Sequence, residues 1–107
     1  MVAGMRLSIA QDFSQTPAGR YPEDGPFSGA FFRDEKLIPA LESGEEVTVD
    51  LDGVEGYGSS FLEEAFGGLM RTKKFSLQYV KSKLVVVSAD EAWLEEVWSY
   101  INNPDQK

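Results

Sequence analysis

The stretch from Val47 to Met70 reads VTVDLDGVEGYGSSFLEEAFGGLM. In its first part Val47, Val49 and Leu51 alternate with Thr48, Asp50 and Asp52, the two-residue period of a strand with one buried face. Gly53, Gly56 and Gly58 then break the pattern, as glycines do where the chain must turn tightly. Leu62, Ala65, Phe66 and Leu69 recur at helical spacing and mark one apolar face. Ser60 and Glu63 have the S-x-x-E spacing of a capping box. The stretch therefore reads as strand, turn and helix, with Ser59 and Ser60 at the helix N-terminus. First-turn N–H groups lack intrahelical partners, and the helix dipole is positive there. Serine is a preferred cap, so capping alone accounts for both residues. A phosphate on Ser59 or Ser60 is also electrostatically favoured at that place.

Upstream, Met1 to Gly4 reads as a frayed end. Met5 to Ala10 alternates like Val47 to Asp52. Two strands that each show a polar face imply a sheet covered by helices mainly on one side. Gln11 to Pro26 carries three prolines and two glycines and reads as a long loop, with Phe13 and Tyr21 expected to pin it to the body. Within it, Arg20 suits a phosphate or carboxylate, or locks the loop by pairing with Asp24, Asp50 or Asp52. A helix is expected from Ser28 to Leu37, then a kink or a second short turn starting near Pro39, since proline removes a helix hydrogen bond. Ser43-Gly44 ends it. Arg33 lies near the helix start, where a cation needs a specific partner.

Downstream, Gly67-Gly68 marks close backbone approach to a neighbouring element or to a partner. Arg71, Lys73 and Lys74 suit a helix C-terminus. Phe75 to Lys83 is expected to be a short helix capped by Ser76, and Leu84 to Ser88 a buried strand. Ser88 to Asn103 reads as the clearest helix, with Ser88 and Glu91 as a second S-x-x-E and Pro104 beyond its end. The order of elements implies a single α/β domain over residues 1–107, a two-layer fold with a small mixed sheet.

The chain of 107 residues carries a net charge of −8. Such a surface repels nucleic acid and anionic lipid, so neither is expected as a partner, whereas a protein partner is. There is no cysteine and no histidine, which removes thiolate sites, cysteine nucleophiles and serine–histidine catalysis. Asp50 and Asp52 alone do not resemble a calcium loop, and no metal or cofactor is expected. No apolar run reaches membrane-spanning length, and no signal-peptide core is evident, so a cytoplasmic location is expected.

At Val54 to Leu62 the sequence resembles the signature of STAS domains, the bacterial anti-sigma factor antagonists, in Gly58-Ser59-Ser60-Phe61-Leu62. A wider resemblance covers Asp12-Phe13-Ser14, Pro17, Gly19-Arg20-Tyr21, Asp24-Gly25-Pro26, Ser28-Gly29, Phe32-Arg33 and Gly58 to Arg71. In these the chain is similar to the STAS-like domains of unknown function, DUF4325, some of which are associated with histidine-kinase-type ATPases. The resemblance implies a STAS-like fold. It also implies that Ser59 corresponds to the serine that a partner kinase phosphorylates in the antagonists, where the phosphate blocks partner binding. The antagonists carry aspartate before the serines and glycine after them, where this chain has Gly58 and Phe61.

Two functional readings follow. In the first, the chain is a non-catalytic regulatory module whose face of Ser59, Ser60, Glu63, Glu64 and Gly67 binds a protein partner, with a histidine-kinase-type ATPase as the candidate the resemblance implies. In the second, Arg20, Asp24, Ser28 and Arg33 converge with the helix N-terminus at Ser59 to hold a phosphate-bearing ligand. An enzymatic reading would rest on a carboxylate pair. No motif surrounds any carboxylate, so the chain is read as a non-enzyme.

Overall fold

A computed structural model describes residues 4–105. Three strands, β1 (Gly4–Ser8), β2 (Glu46–Asp50) and β3 (Leu84–Val87), form a sheet in the order β1-β2-β3. Met5, Val47 and Leu84 lie in register, as do Leu7, Val49 and Val86. These residues make the inner face, where Val47 and Val49 are fully buried. The other face carries Arg6, Thr48 and Val85, and Arg6 reaches diagonally to Asp50 with a hydrogen bond of 2.9 Å. Both pairings are parallel, where a mixed sheet was expected. Each strand-to-strand connection contains a helix and is long enough to return the chain in the same direction. A strand order that only ascends, joined by the usual right-handed crossovers, sends those helices to one face and leaves the other to solvent.

The first strand stops earlier than its alternation suggests. Ser8 caps a one-turn helix, α1 (Ile9–Asp12), accepting from the Gln11 N–H at 3.2 Å, while the Asp12 carboxylate accepts from the Ser8 N–H at 2.7 Å. Of the expected frayed end, Met1 to Ala3 lie outside the described residues and Gly4 opens β1.

Residues 29–42 form one continuous helix, α2, made of α-helical Gly29–Phe32, a π turn Arg33–Leu37 and α-helical Ile38–Glu42. Pro39 was expected to kink this segment or to open a second short turn. It sits at the start of the last section, directly after the π turn, whose closing bond runs from the Ile38 N–H to the Arg33 carbonyl. The wider turn absorbs the ladder bond that proline cannot make.

The turn after β2 leads into α3, residues 59–71, with α-helical Ser59–Leu62, a π turn Glu63–Gly67 and α-helical Gly68–Arg71. Every residue from 61 to 69 is buried. This helix is thus surrounded rather than amphipathic, packed between α2, the sheet's core and α5 (Glu91–Asn102). Gly29 at the start of α2 meets α3 so closely that a Cβ there would lie 2.4 Å from the Phe61 carbonyl oxygen. Phe32, Phe61 and Phe66 fill the contact, with ring centroids 6.1 and 6.4 Å apart.

Between α3 and β3 lies α4 (Leu77–Lys83), capped by Ser76 as its sequence suggests, with the Tyr79 N–H 3.0 Å from the hydroxyl. The last helix departs from the expected cap. Asp90, not Ser88, caps α5 by accepting from the Ala92 N–H at 2.9 Å. Ser88 is engaged elsewhere, donating to Asp52 at 2.9 Å and accepting from the Asp90 N–H at 3.0 Å. Among the described residues no helix is long and apolar enough to cross a membrane.

Candidate functional site

The serine pair stands where β2 gives way to α3. Gly53 begins the connection at φ +94°, and a Cβ there would fall 2.9 Å from that of Ala10, so glycine alone fits both the conformation and the space. Asp52 then ties the turn to the end of β3. Its carboxylate accepts the Ser88 hydroxyl and the Ala89 N–H, the latter at 3.0 and 3.1 Å to its two oxygens. Tyr57 closes the turn by donating to the Leu51 carbonyl at 2.6 Å, with its ring against Phe61 and edge-on to Trp93. Burial pushes the Tyr57 phenol well above its ordinary pKa, helped by the charges of Asp50 and Asp52. It therefore acts as a neutral donor.

Gly58 is the N-cap of α3, so Ser59 and Ser60 are its first two residues, with Ser59 exposed and Ser60 half-buried. The capping box read from Ser60 and Glu63 is not formed, and no side chain caps this end. The helix begins two residues earlier than that box requires, with side-chain-less Gly58 at the cap and Ser60 inside the first turn, and the Glu63 carboxylate turns inward to arginines.

Those arginines build the most concentrated charge in the molecule. Arg20 from the long loop donates to Glu63 and, at 3.2 Å, to Glu64. Arg71, at the end of α3, donates through Nη1 to Glu63 at 2.5 Å and to the Pro104 carbonyl at 2.6 Å, and through Nη2 to Glu63 at 3.1 Å and Glu64 at 3.3 Å. Arg33 from α2 donates to Glu64 at 2.6 Å and pairs with its neighbour Asp34 at 2.9 Å. Glu63 and Glu64 keep only 5% and 7% of their surface, so unpaired charges there would be costly. Burial pushes the Glu63 carboxyl upward, but the hydrogen bonds from Arg71 and Arg20 outweigh it and hold its pKa below the ordinary carboxylate value. The Arg20 guanidinium is raised in turn, chiefly by its hydrogen bond to Glu63 against the opposing effect of burial.

Gly67 and Gly68 make this packing possible. A Cβ on Gly67 would lie 2.8 Å from a Glu63 carboxylate oxygen and 3.2 Å from Arg71 Nη1. One on Gly68 would lie 2.5 Å from Arg33 Nη1 and 3.0 Å from Glu64. The guanidinium groups rest where the next turn's side chains would otherwise stand. The close approach that the glycine pair implied is thus internal.

Glu63, Glu64 and Gly67, expected on an open interaction face with Ser59 and Ser60, are buried in this ion-pair layer. Their helix is enclosed by α2 and α5, and its carboxylates meet arginines of the same chain. Arg20, Ser28 and Arg33 do not converge on an open anion pocket either. The two arginines spend donors on Glu63 and Glu64. Ser28 is fully buried and caps α2, accepting from the Phe31 N–H at 3.2 Å. The Gly29 and Ala30 N–H groups are taken by the Gly19 and Arg20 carbonyls at 2.9 and 3.0 Å, so this helix end has no first-turn donor left to offer. Asp24 faces the loop main chain, accepting from the Arg20 and Tyr21 N–H groups at 3.1 and 3.0 Å, which lowers its pKa. Arg20 does lock the loop, but on Glu63 and Glu64 instead of Asp24, Asp50 or Asp52. Among the described residues no group of three or more acidic side chains gathers as a metal ion would require.

Sequence reading passed over Arg71, taken as a helix-end cation, and over Asp52 as the tie between turn and β3. The spacing Glu63, Gly67, Arg71 was available as a clue. Residues four apart share a helix face, and a glycine between two opposite charges lets them meet across two turns.

A family model described as a STAS-like domain of unknown function, DUF4325, matches residues 28–92. The chain belongs to this family. The matched span runs from the cap of α2 through α3 and its serine pair into the first turn of α5. The α/β arrangement of a three-stranded sheet and helices fits the STAS-like description. No curated protein and no solved structure matches the chain.

Proposed function

We propose that this STAS-like domain is a non-catalytic regulatory module of the cytoplasm that binds a protein partner and is switched by phosphorylation at Ser59. The observation that carries the reading is the exposed Ser59 hydroxyl at the first position of a helix without a side-chain cap. A phosphoryl group added there meets the positive end of the dipole and unpaired first-turn N–H groups. It brings about −1.5 to −2 charges to the surface, enough to alter a docking face without disturbing the buried ion pairs beneath. Ser60, half-buried one residue on, is less open to an attacking enzyme. The partner in this reading is a histidine-kinase-type ATPase, which transfers the γ-phosphoryl group of ATP to the Ser59 oxygen and releases ADP and a proton. Membership of a STAS-like family supports it, as does the absence of histidine and cysteine from the sequence, which suits a substrate of a kinase better than a catalyst.

The test is phosphopeptide mass spectrometry of the chain isolated from its native cells, with copurification of wild type, Ser59→Ala and Ser59→Asp. Phosphate on Ser59 and a partner set that changes with Ser59→Asp are expected. An unmodified Ser59 together with identical partners for all three forms would overturn the proposal.

A further inference from the structure

The long loop leaves a patch that its own folding does not require. Five large apolar side chains are exposed among the described residues, and three of them, Tyr21, Phe27 and Phe31, fall between residues 21 and 31 at 44%, 40% and 40%. Beside them lies an open pocket of about 150 Å³ lined by Pro22, Gly25, Pro26 and Phe31. Tyr21 was expected to pin the loop to the body, but that work is done by Phe13, whose ring packs edge-on against Phe27 and Phe32 at 5.5 and 5.3 Å. The main chain adds the Ala18 to Phe27 hydrogen bond at 3.0 Å, and Arg20 adds its ion pairs with α3. Tyr21 and the outer surfaces of Phe27 and Phe31 are therefore left facing water with no structural return.

The patch is also held stiff. Pro22 opens a short 3-10 turn, Pro22–Asp24, and Asp24 accepts from two loop N–H groups. Prolines fix φ, and a surface already ordered loses little entropy on binding. Exposed, rigid aromatic side chains beside a pocket have the composition of an interaction hot spot. Their surroundings are acidic. Glu23 and Asp24 follow Pro22, and Glu35 is exposed about one helical turn beyond Phe31. Arg20 and Arg33 direct donors into the buried layer, and the half-buried Lys36 beside Glu35 is one cation against the exposed Glu23, Asp24 and Glu35.

We infer that the pocket between the Pro22–Pro26 loop and Phe31 is a docking site for a linear, basic segment of a partner protein, one apolar side chain entering the pocket and flanking lysines or arginines meeting Glu23 and Glu35. The pocket has room for one such anchor. The charge complementarity selects a cationic segment over a second copy of this chain, which carries −8 itself. The inference concerns a surface separate from Ser59 and stands whether or not that serine is modified.

The experiment is selection of a random heptapeptide phage library on the intact chain. The enriched sequence is then made as a synthetic peptide, alongside a version with its lysines and arginines changed to glutamate. Enrichment of an apolar residue flanked by basic ones is expected, with amide shift changes in nuclear magnetic resonance spectra centred on Tyr21, Gly25, Phe27 and Phe31. Binding should fall at least tenfold for Phe31→Ser and for Glu35→Lys, and should weaken with salt. Retained spectral dispersion shows that the variants fold, and the exposed Glu35→Lys tests the rim independently of the aromatic core. No enrichment, enrichment of neutral or acidic peptides, shifts mapping to another surface, or concentration-dependent self-association at the same amides each overturns the inference.

Discussion

Gly29→Ala asks whether α2 and α3 are as tightly apposed as their sequence of small and aromatic residues requires. On propensity alone the change should stabilise the protein, since alanine exceeds glycine in a helix by up to about 1 kcal/mol. The structure reverses the sign. The added Cβ would lie 2.4 Å from the Phe61 carbonyl oxygen and 3.1 Å from the Ala65 nitrogen, both main-chain atoms that no rotamer change can move. Ordinary contact begins at 3.4 Å, so the helices must part by about 1 Å at this crossing. That separation loosens the Phe32–Phe61–Phe66 contacts and shifts Glu64, whose Cβ is 3.2 Å from the same point. Overpacking of this kind costs about 3 kcal/mol at its upper typical range. After the propensity gain the net loss is about 2 kcal/mol, or a melting temperature lower by about 10 °C for a domain of this size. Urea denaturation followed by tryptophan fluorescence measures it, with Gly56→Ala as the control, because a Cβ there meets nothing within 4 Å. A Gly29→Ala protein as stable as wild type would refute the close crossing and the placement of α3 that depends on it.

The buried ion pairs give two further expectations. Glu64→Gln keeps the shape but leaves the Arg33 guanidinium without its charged inner partner, and should cost about 2–3 kcal/mol, whereas Asp34→Asn on the exposed side of the same arginine should cost less than about 1 kcal/mol; equal effects in chemical denaturation would contradict the assigned partners. Because the folded Glu63 carboxyl lies below its ordinary value of 4.5, its contribution is present above that pH and is lost as pH falls through the folded value. Wild type should therefore lose stability on acidification more steeply than Glu63→Gln, the gap between them closing below about pH 4.5, and parallel stability curves from neutral pH to pH 3 would show that Glu63 is not so held.

The α/β class, the three strands and the helices around them were legible in the sequence because each rests on a local period. Val47 to Leu51 alternates, Leu62 to Leu69 repeats at helical spacing, and Ser76 is a cap whatever lies beyond it. The glycine pair at Gly67-Gly68 was legible as a place of close approach for the same reason. The serine pair could be placed at a helix start, although its side chains proved not to cap it. A change of helix near Pro39 was legible because proline's cost is local, whereas its remedy, a π turn in the preceding residues, is a property of the whole helix and was not.

The amino-acid sequence by itself determined the three strands, the longer helices and their order, since propensity and period are properties of neighbours along the chain. Only the tertiary structure decided which way the charges face. Glu63 and Glu64 look like a solvated helix surface until α2, α5 and the long loop close over them. Whether a carboxylate meets water or arginine depends on residues up to 44 positions away, and nothing in the local pattern encodes that pairing. The same physics left Phe31 partly outside: Phe13 stands between it and Phe61 of α3, with ring centroids 6.1 and 6.3 Å away.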